Sequence, residues 1–193
     1  MNKKCVVLID GSNFYFKLKE FHLQNLLNCD LTGLIKYLCG AYVLIKSVYY
    51  IGKVRTDGTE KTQKLFDVQR KLFAHLKKHK IDYSLGYLLK SDGVFHEKGV
   101  DVNMAVDILV EAYEKRCDRI ILVSSDTDLI PAIKKAKEKG KTVEYIGFSY
   151  LPSVALVANC SESRLLKKED IEKFFSKPSG SNVKKANRAK QTV

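Results

Sequence analysis

Val6-Val7-Leu8-Ile9-Asp10-Gly11-Ser12-Asn13 is the segment from which the fold follows. Its apolar run has no polar alternation, as expected of a strand buried on both faces in a parallel sheet. A short apolar strand that ends in a carboxylate presents the acid at the carboxyl edge, where ligands bind in open α/β sheets. The pattern returns at Ile120-Ile121-Leu122-Val123-Ser124-Ser125-Asp126-Thr127-Asp128. If Asp10 and Asp126 end neighbouring strands, several acids converge on one point. Converging like charges are costly unless a hard cation joins them, and oxygen-only ligation suits Mg²⁺ or Mn²⁺.

Around these two runs, strands and helices alternate. Residues 4–10 read as the first strand, residues 10–13 as turn and cap, and a helix is expected from Phe14. Residues 31–42 have the apolar spacing of a helix and residues 44–52 that of a strand. After a polar loop, residues 62–80 form a long amphipathic helix, with Leu65, Val68, Leu72 and Leu76 expected inward. Residues 81–89 read as a strand, 90–99 as a polar loop and 100–115 as a helix with Val102, Ala105, Val106, Leu109 and Val110 apolar. A strand over 118–124, a helix over 128–139 closed by Gly140, and a strand over 142–148 follow. A short helix after Pro152, an apolar segment at 164–166 and a helix over 168–175 complete the pattern. This is the sequence of a three-layer α/β domain, Rossmann-like, with a mainly parallel central sheet. Residues 1–176 form the expected domain, and 177–193, too poor in apolar residues to bury, a basic disordered tail.

The 193 residues, 45% apolar and 29% charged, suit one soluble domain. No apolar run approaches the roughly 18 residues of a membrane span, and the start leads into a strand rather than a signal peptide, so a cytoplasmic protein is expected. Cys5, Cys29, Cys39, Cys117 and Cys160 are scattered and complete no zinc pattern with the four histidines. His75 and His79 share a helical spacing amid lysines and read as a solvated helix end. The net charge of +12, five units of it in the tail, favours a polyanionic partner over a membrane surface.

Three constellations carry chemistry. Asp10 can bind a cation, with Asn13 orienting it or a phosphate and Gly11 permitting close backbone approach. In Lys98-Gly99-Val100-Asp101-Val102, Asp101 begins a helix and either caps it or serves a site. Asp107, on a largely apolar stretch, either pairs with a cation at the core edge or faces the site. At Ser124-Ser125-Asp126-Thr127-Asp128, capping needs one small polar residue, so the second acid and the hydroxyls are surplus to it.

In this order, Ile-Asp-Gly-Ser-Asn, Lys-Gly-Val-Asp-Val with a further Asp six residues on, and Ser-Ser-Asp-Thr-Asp-Leu resemble the NYN domain family, LabA-like branch, of the PIN-like nucleases. The resemblance covers roughly residues 4–150. It implies a metal-dependent ribonuclease site in which Asp10, Asp101, Asp126 and Asp128 match the acidic positions, Asn13 the Asn beside the first acid and Asp107 the second helix acid. Ser125 stands where many members have Gly.

The residues suit that chemistry independently. Phosphodiester hydrolysis needs an activated water and charge stabilisation at the leaving oxygen, and carboxylate-held Mg²⁺ can supply both. No Ser-His-Asp order competes. His96 is a candidate general acid that an exposed loop position argues against; Lys98 and the basic face over 62–80 are candidate phosphate contacts. The expected activity is divalent-metal-dependent endoribonuclease, with Mg²⁺ or Mn²⁺ as cofactor and RNA as partner, a homo-oligomer being open. The rivals are a non-catalytic RNA-binding module and, third, a small-ester phosphatase. Aspartyl-nucleophile phosphatases usually carry a second Asp two positions after the first, where Ser12 stands here.

Overall fold

β1 (Lys4–Asp10) sends Val7 and Ile9 into one core and Val6 and Leu8 into the other, which is why its run is apolar throughout. The computed structural model describes residues 3–23, 25–91 and 94–176, and the side chains of these except 88–91 and 94–97. The expected tail, 177–193, lies outside the described residues.

On the first core pack α1 (Gly11–Glu20), α2 (Leu31–Cys39), α3 (Glu60–Lys78) and α7 (Lys168–Glu172), through Phe14, Leu18, Leu34, Leu38, Leu76 and Ile171. On the second pack α4 (Val100–Tyr113), α5 (Ile130–Glu138) and α6 (Val154–Asn159), through Met104, Ile108, Ile133, Ala136 and Leu156. Between them lie β1, β2 (Val43–Lys53), β3 (Asp82–Ser91), β4 (Val94–Lys98), β5 (Arg119–Val123), β6 (Thr142–Phe148) and β7 (Glu162–Leu166). The seven-stranded sheet has the order β4-β3-β2-β1-β5-β6-β7. Every pairing is parallel except β3 with β4, which is antiparallel. The three-layer α/β expectation therefore holds.

Several local expectations change. α1 starts at Gly11, directly on the strand end, because Asp10 caps it. The stretch expected to be a loop before α4 contains β4. On α3 the buried stripe is Thr62, Gln69 and Leu76, whereas Leu65 and Val68 are exposed. All five cysteines are buried free thiols.

At the amino edge of the sheet, buried carboxylates are charge-paired. Glu144 accepts from Arg119 at 2.6 Å and sits 3.0 Å from Arg164, and Glu111 meets Lys46 at 2.9 Å and Arg116 at 3.2 Å. Such pairing offsets the desolvation that an isolated buried charge suffers.

His75 and His79 are part-buried and dock α3 onto α2, so the solvated helix end is not what forms. The His75 ring Nε2 lies 3.0 Å from the Cys29 carbonyl. His79 Nδ1 accepts from the Thr32 N–H at 3.2 Å and lies 2.8 Å from its hydroxyl. Burial, then the neighbouring His75, hold the His79 imidazole below its ordinary value, against an opposing pull from Asp30. The unfolded chain consequently takes up this proton more readily than the folded one, and stability falls as pH drops through about 6.5. The melting temperature of wild type is expected to decline between about pH 7 and pH 5 more steeply than that of His79→Gln. Parallel melting curves in thermal scans would contradict this.

Candidate active site at the carboxyl edge of the sheet

From β1 the chain moves outward through β2, β3 and β4, then returns to place β5 on the other side of β1. Strand order reverses there, and a crevice opens beyond the carboxyl ends of strands at such a reversal. Asp10 ends β1, and the register Ile9↔Val123 makes Ser124 its next neighbour across the gap.

The side chains interlock accordingly. Ser124 Oγ donates to Asp10 Oδ2 at 3.0 Å and accepts the Asp126 N–H at 3.1 Å. Asp10 Oδ1 accepts the Asn13 N–H at 2.9 Å, the N-cap bond of α1. Asp126 Oδ1 accepts the Asp128 N–H at 2.9 Å and caps the short 3₁₀ turn Thr127–Leu129. Ser124, only 2% exposed, thus joins the two strand-end acids. Sequence reading picked Ser125 instead. The signal for Ser124 was strand register, which a single sequence does not supply.

The third acid comes from α4. Its N-cap is Gly99, in the left-handed region at φ 80° and with no capping side chain. Asp101 lies inside the first turn, so the capping role open to it in the sequence is not the one it takes. Asp10, Asp101 and Asp126 line one cleft of ≈ 420 Å³ together with Lys98, Gly99, Val100 and Val102. Neither Asp101 nor Asp126 forms an ion pair with a described residue, in contrast to Glu111 and Glu144 at the opposite edge.

The other candidates lie elsewhere. Asp128 is exposed and outside the cleft lining. Asn13 is engaged through its backbone N–H. Ser125 Oγ lies 3.2 Å from the Tyr145 hydroxyl, which in turn accepts the Ser153 N–H. Among the described residues, Asp107 pairs with no cation and is not in the cleft lining; it accepts from the Tyr50 hydroxyl. Burial first, then that hydrogen bond and the Asp107 charge, push the Tyr50 phenol far above its ordinary range, so it stays a donor. Because Tyr50 is paired with Asp10 in the β1–β2 register, this bond ties α4 to the strand beside the first acid. His96 falls on β4 among side chains outside those described.

The donor chemistry of the cleft fits a hard divalent cation, since the described residues that line it offer carboxylates and no thiol or imidazole. Among the described residues, no three His, Cys, Asp or Glu side chains form a ready metal cluster. Mg²⁺ does not require one, because it keeps several waters and is commonly held by one or two carboxylates.

An α/β domain with a carboxylate-lined cleft at its strand-order reversal defines the class. The NYN domain model matches residues 4–166, and the chain belongs to the NYN domain family, a family of PIN-like nucleases. Among curated proteins, an uncharacterized protein of Methanocaldococcus jannaschii is 41% identical over 80 residues, 38% of this chain and 33% of that one. The match thus spans about a third of the relative's length. A protein of unknown function from Vibrio parahaemolyticus has a similar crystal structure, with TM-score 0.65 at 21% identity over 88% of this chain and 96% of that one. A looser likeness, TM-score 0.45 at 14% identity over 80% and 60% of the two chains, is to T5 5′-exonuclease with bound divalent zinc. A likeness that loose supports no inference. Among the described residues, no helix is long and apolar enough to cross a membrane.

Proposed function

We propose that the protein is a divalent-metal-dependent endoribonuclease. The observation that carries this reading is the grouping of Asp10, Asp101 and Asp126, from three different elements, in one cleft with Lys98 at its edge. Family membership supplies the nuclease class, and the surplus of twelve positive charges supports a polyanionic substrate. Asp10, Asp101 and Asp126 would hold Mg²⁺ or Mn²⁺, which when bound lowers the pKa of water and offsets charge on the phosphate. Lys98 binds a phosphate oxygen as a mobile point charge. The uncapped start of α4 turns free N–H groups toward the same anion. Ser124 holds Asp10 and the backbone of Asp126 in fixed relation, so the two acids do not reorganise independently. Asp128, the fourth acid of the family pattern, is outside this group and is assigned no contact with substrate.

Purified protein incubated with single-stranded and structured RNA is expected to cleave internally in Mn²⁺ or Mg²⁺, and to stop cleaving in chelator. One alternative, a metal-independent RNA-binding module, rests on the same surplus of positive charge. That alternative predicts salt-dependent RNA binding and intact RNA under every metal condition, which would sink the nuclease reading.

A further inference from the structure

Tyr87 is the most exposed aromatic side chain among the described residues, at 63%. The others that reach the surface are engaged. Tyr15 and Phe16 meet edge to face, and Tyr83 stacks on Phe73 with ring centroids 4.3 Å apart. Tyr113 lies under the Lys139 ammonium, and Tyr150 bonds the Lys17 carbonyl and packs on Phe21. Tyr87 makes no ring contact, cation–π contact or hydroxyl bond with a described residue.

Its position gives that openness a use. Tyr87 is paired with Lys98 in the antiparallel β3–β4 ladder, and side chains directly opposite in such a ladder share a face. A Cβ built on Gly99 would stand 3.8 Å from Tyr87 Cδ2. Lys98 and Gly99, the residues beside the ring, line the cleft with the three acids. With Gly at position 99, no side chain extends over the ring from that residue.

We propose that Tyr87 is a stacking platform for an unpaired base of single-stranded RNA, adjacent to the nucleotide whose phosphate enters the acid cleft. This rests on the nuclease reading of that cleft. Every nucleobase has a π-face, so a stacking tyrosine binds without sequence preference and discriminates against duplex, whose bases are already stacked. Lys98, opposite Tyr87, supplies the neighbouring phosphate contact. The substrate class is therefore single-stranded RNA or an unpaired loop, with little base selectivity at this position.

The test is fluorescence anisotropy in chelator, with a short single strand, a duplex of the same sequence, and a single strand carrying one abasic site. Tyr87→Ala is expected to weaken single-strand binding about tenfold and Tyr87→Phe less than about twofold, with duplex affinity unchanged. On the abasic strand placed in register, wild type and Tyr87→Ala should bind alike. The slope of affinity against salt should be the same for Tyr87→Ala and wild type, but shallower by about one for Lys98→Ala. Equal binding of single strand by wild type and Tyr87→Ala, or an equal loss for strand and duplex, overturns the platform. Cleavage in Mn²⁺ is read separately. A Tyr87-dependent binding loss without any wild-type cleavage supports the platform and refutes catalysis; cleavage without a Tyr87 effect does the reverse. Thermal melting of both variants shows whether the fold is retained, as substitution of so exposed a ring predicts.

Discussion

Asp126→Asn is expected to lower RNA cleavage by about a hundredfold or more, whereas Asp128→Asn stays within about threefold of wild type, the range for removing one group that stabilises reacting charge. The two substitutions are chemically identical and two residues apart, but only Asp126 lines the cleft. Asn at 126 retains an oxygen that can accept the Asp128 N–H, so the cap of the 3₁₀ turn survives while the negative charge disappears. A hundredfold loss corresponds to about 2.7 kcal/mol of transition-state stabilisation, far more than a surface charge contributes. Asp101→Asn should resemble Asp126→Asn, because Asp101 also lines the cleft and bonds to no described side chain. Asp10→Asn is a less clean probe. Both its oxygens accept hydrogens, from Asn13 and Ser124, and an amide would turn a donor toward one of them. Initial rates on one RNA, with melting curves for each variant, decide the matter. Equal rates for wild type and Asp126→Asn would remove the carboxylates from catalysis, and a comparable loss in Asp128→Asn would bring that residue into the site.

The central strands were the most legible part of the chain. β1 and β6 cover the residues expected of them, 4–10 and 142–148, because strands covered by helices on both faces are mainly apolar, the buried Glu144 of β6 being offset by its arginine partners. β4 was missed for the opposite reason: it lies at the sheet edge, pairs on one side only, and is short and polar in sequence. α3 misled through its buried polar residues. Gln69 is buried because its side chain donates to the Gly52 carbonyl and accepts the Val54 N–H, finishing the end of β2. The Thr62 hydroxyl donates to Asp57 in the preceding loop. Apolar spacing cannot reveal burial that depends on such bonds. On α4, valines occur on more than one face, so periodicity could not show that Met104 and Ile108 would be covered while Val102 and Val106 stayed exposed. At the site, strand ends located Asp10 and Asp126, but only the structure shows that Asp128 falls in the following 3₁₀ turn, exposed and outside the cleft lining.

Gly11→Ala is expected to destabilise the domain by about 1–3 kcal/mol, the range for overpacking a filled site. Helix propensity alone predicts the opposite sign, since Ala is better than Gly by about 1 kcal/mol inside a helix. Sterics should win here. A Cβ at position 11 would stand 2.3 Å from Tyr49 Cε1 and 2.6 Å from the Tyr50 carbonyl oxygen. Tyr49 is 1% exposed and its hydroxyl donates to the Gly11 carbonyl at 3.2 Å, so the ring has little space to retreat. The Tyr50 carbonyl belongs to the strand paired with β1, where Asp10 and Tyr50 are register partners. Relief of the clash must therefore displace α1 or the end of β1, and either moves Asp10. The melting temperature should fall by roughly 2–12 °C, given about 2–4 °C per kcal/mol for a domain of this size, and cleavage should fall with it. Asn13→Ala supplies the contrast, because its bond to Asp10 comes from the backbone N–H and survives the substitution. Its melting temperature should stay close to that of wild type. If its cleavage rate collapses while its stability holds, the Asn13 side chain itself acts on the RNA. If Gly11→Ala melts like wild type, the tight seat of α1 on β2 does not hold Asp10 in place.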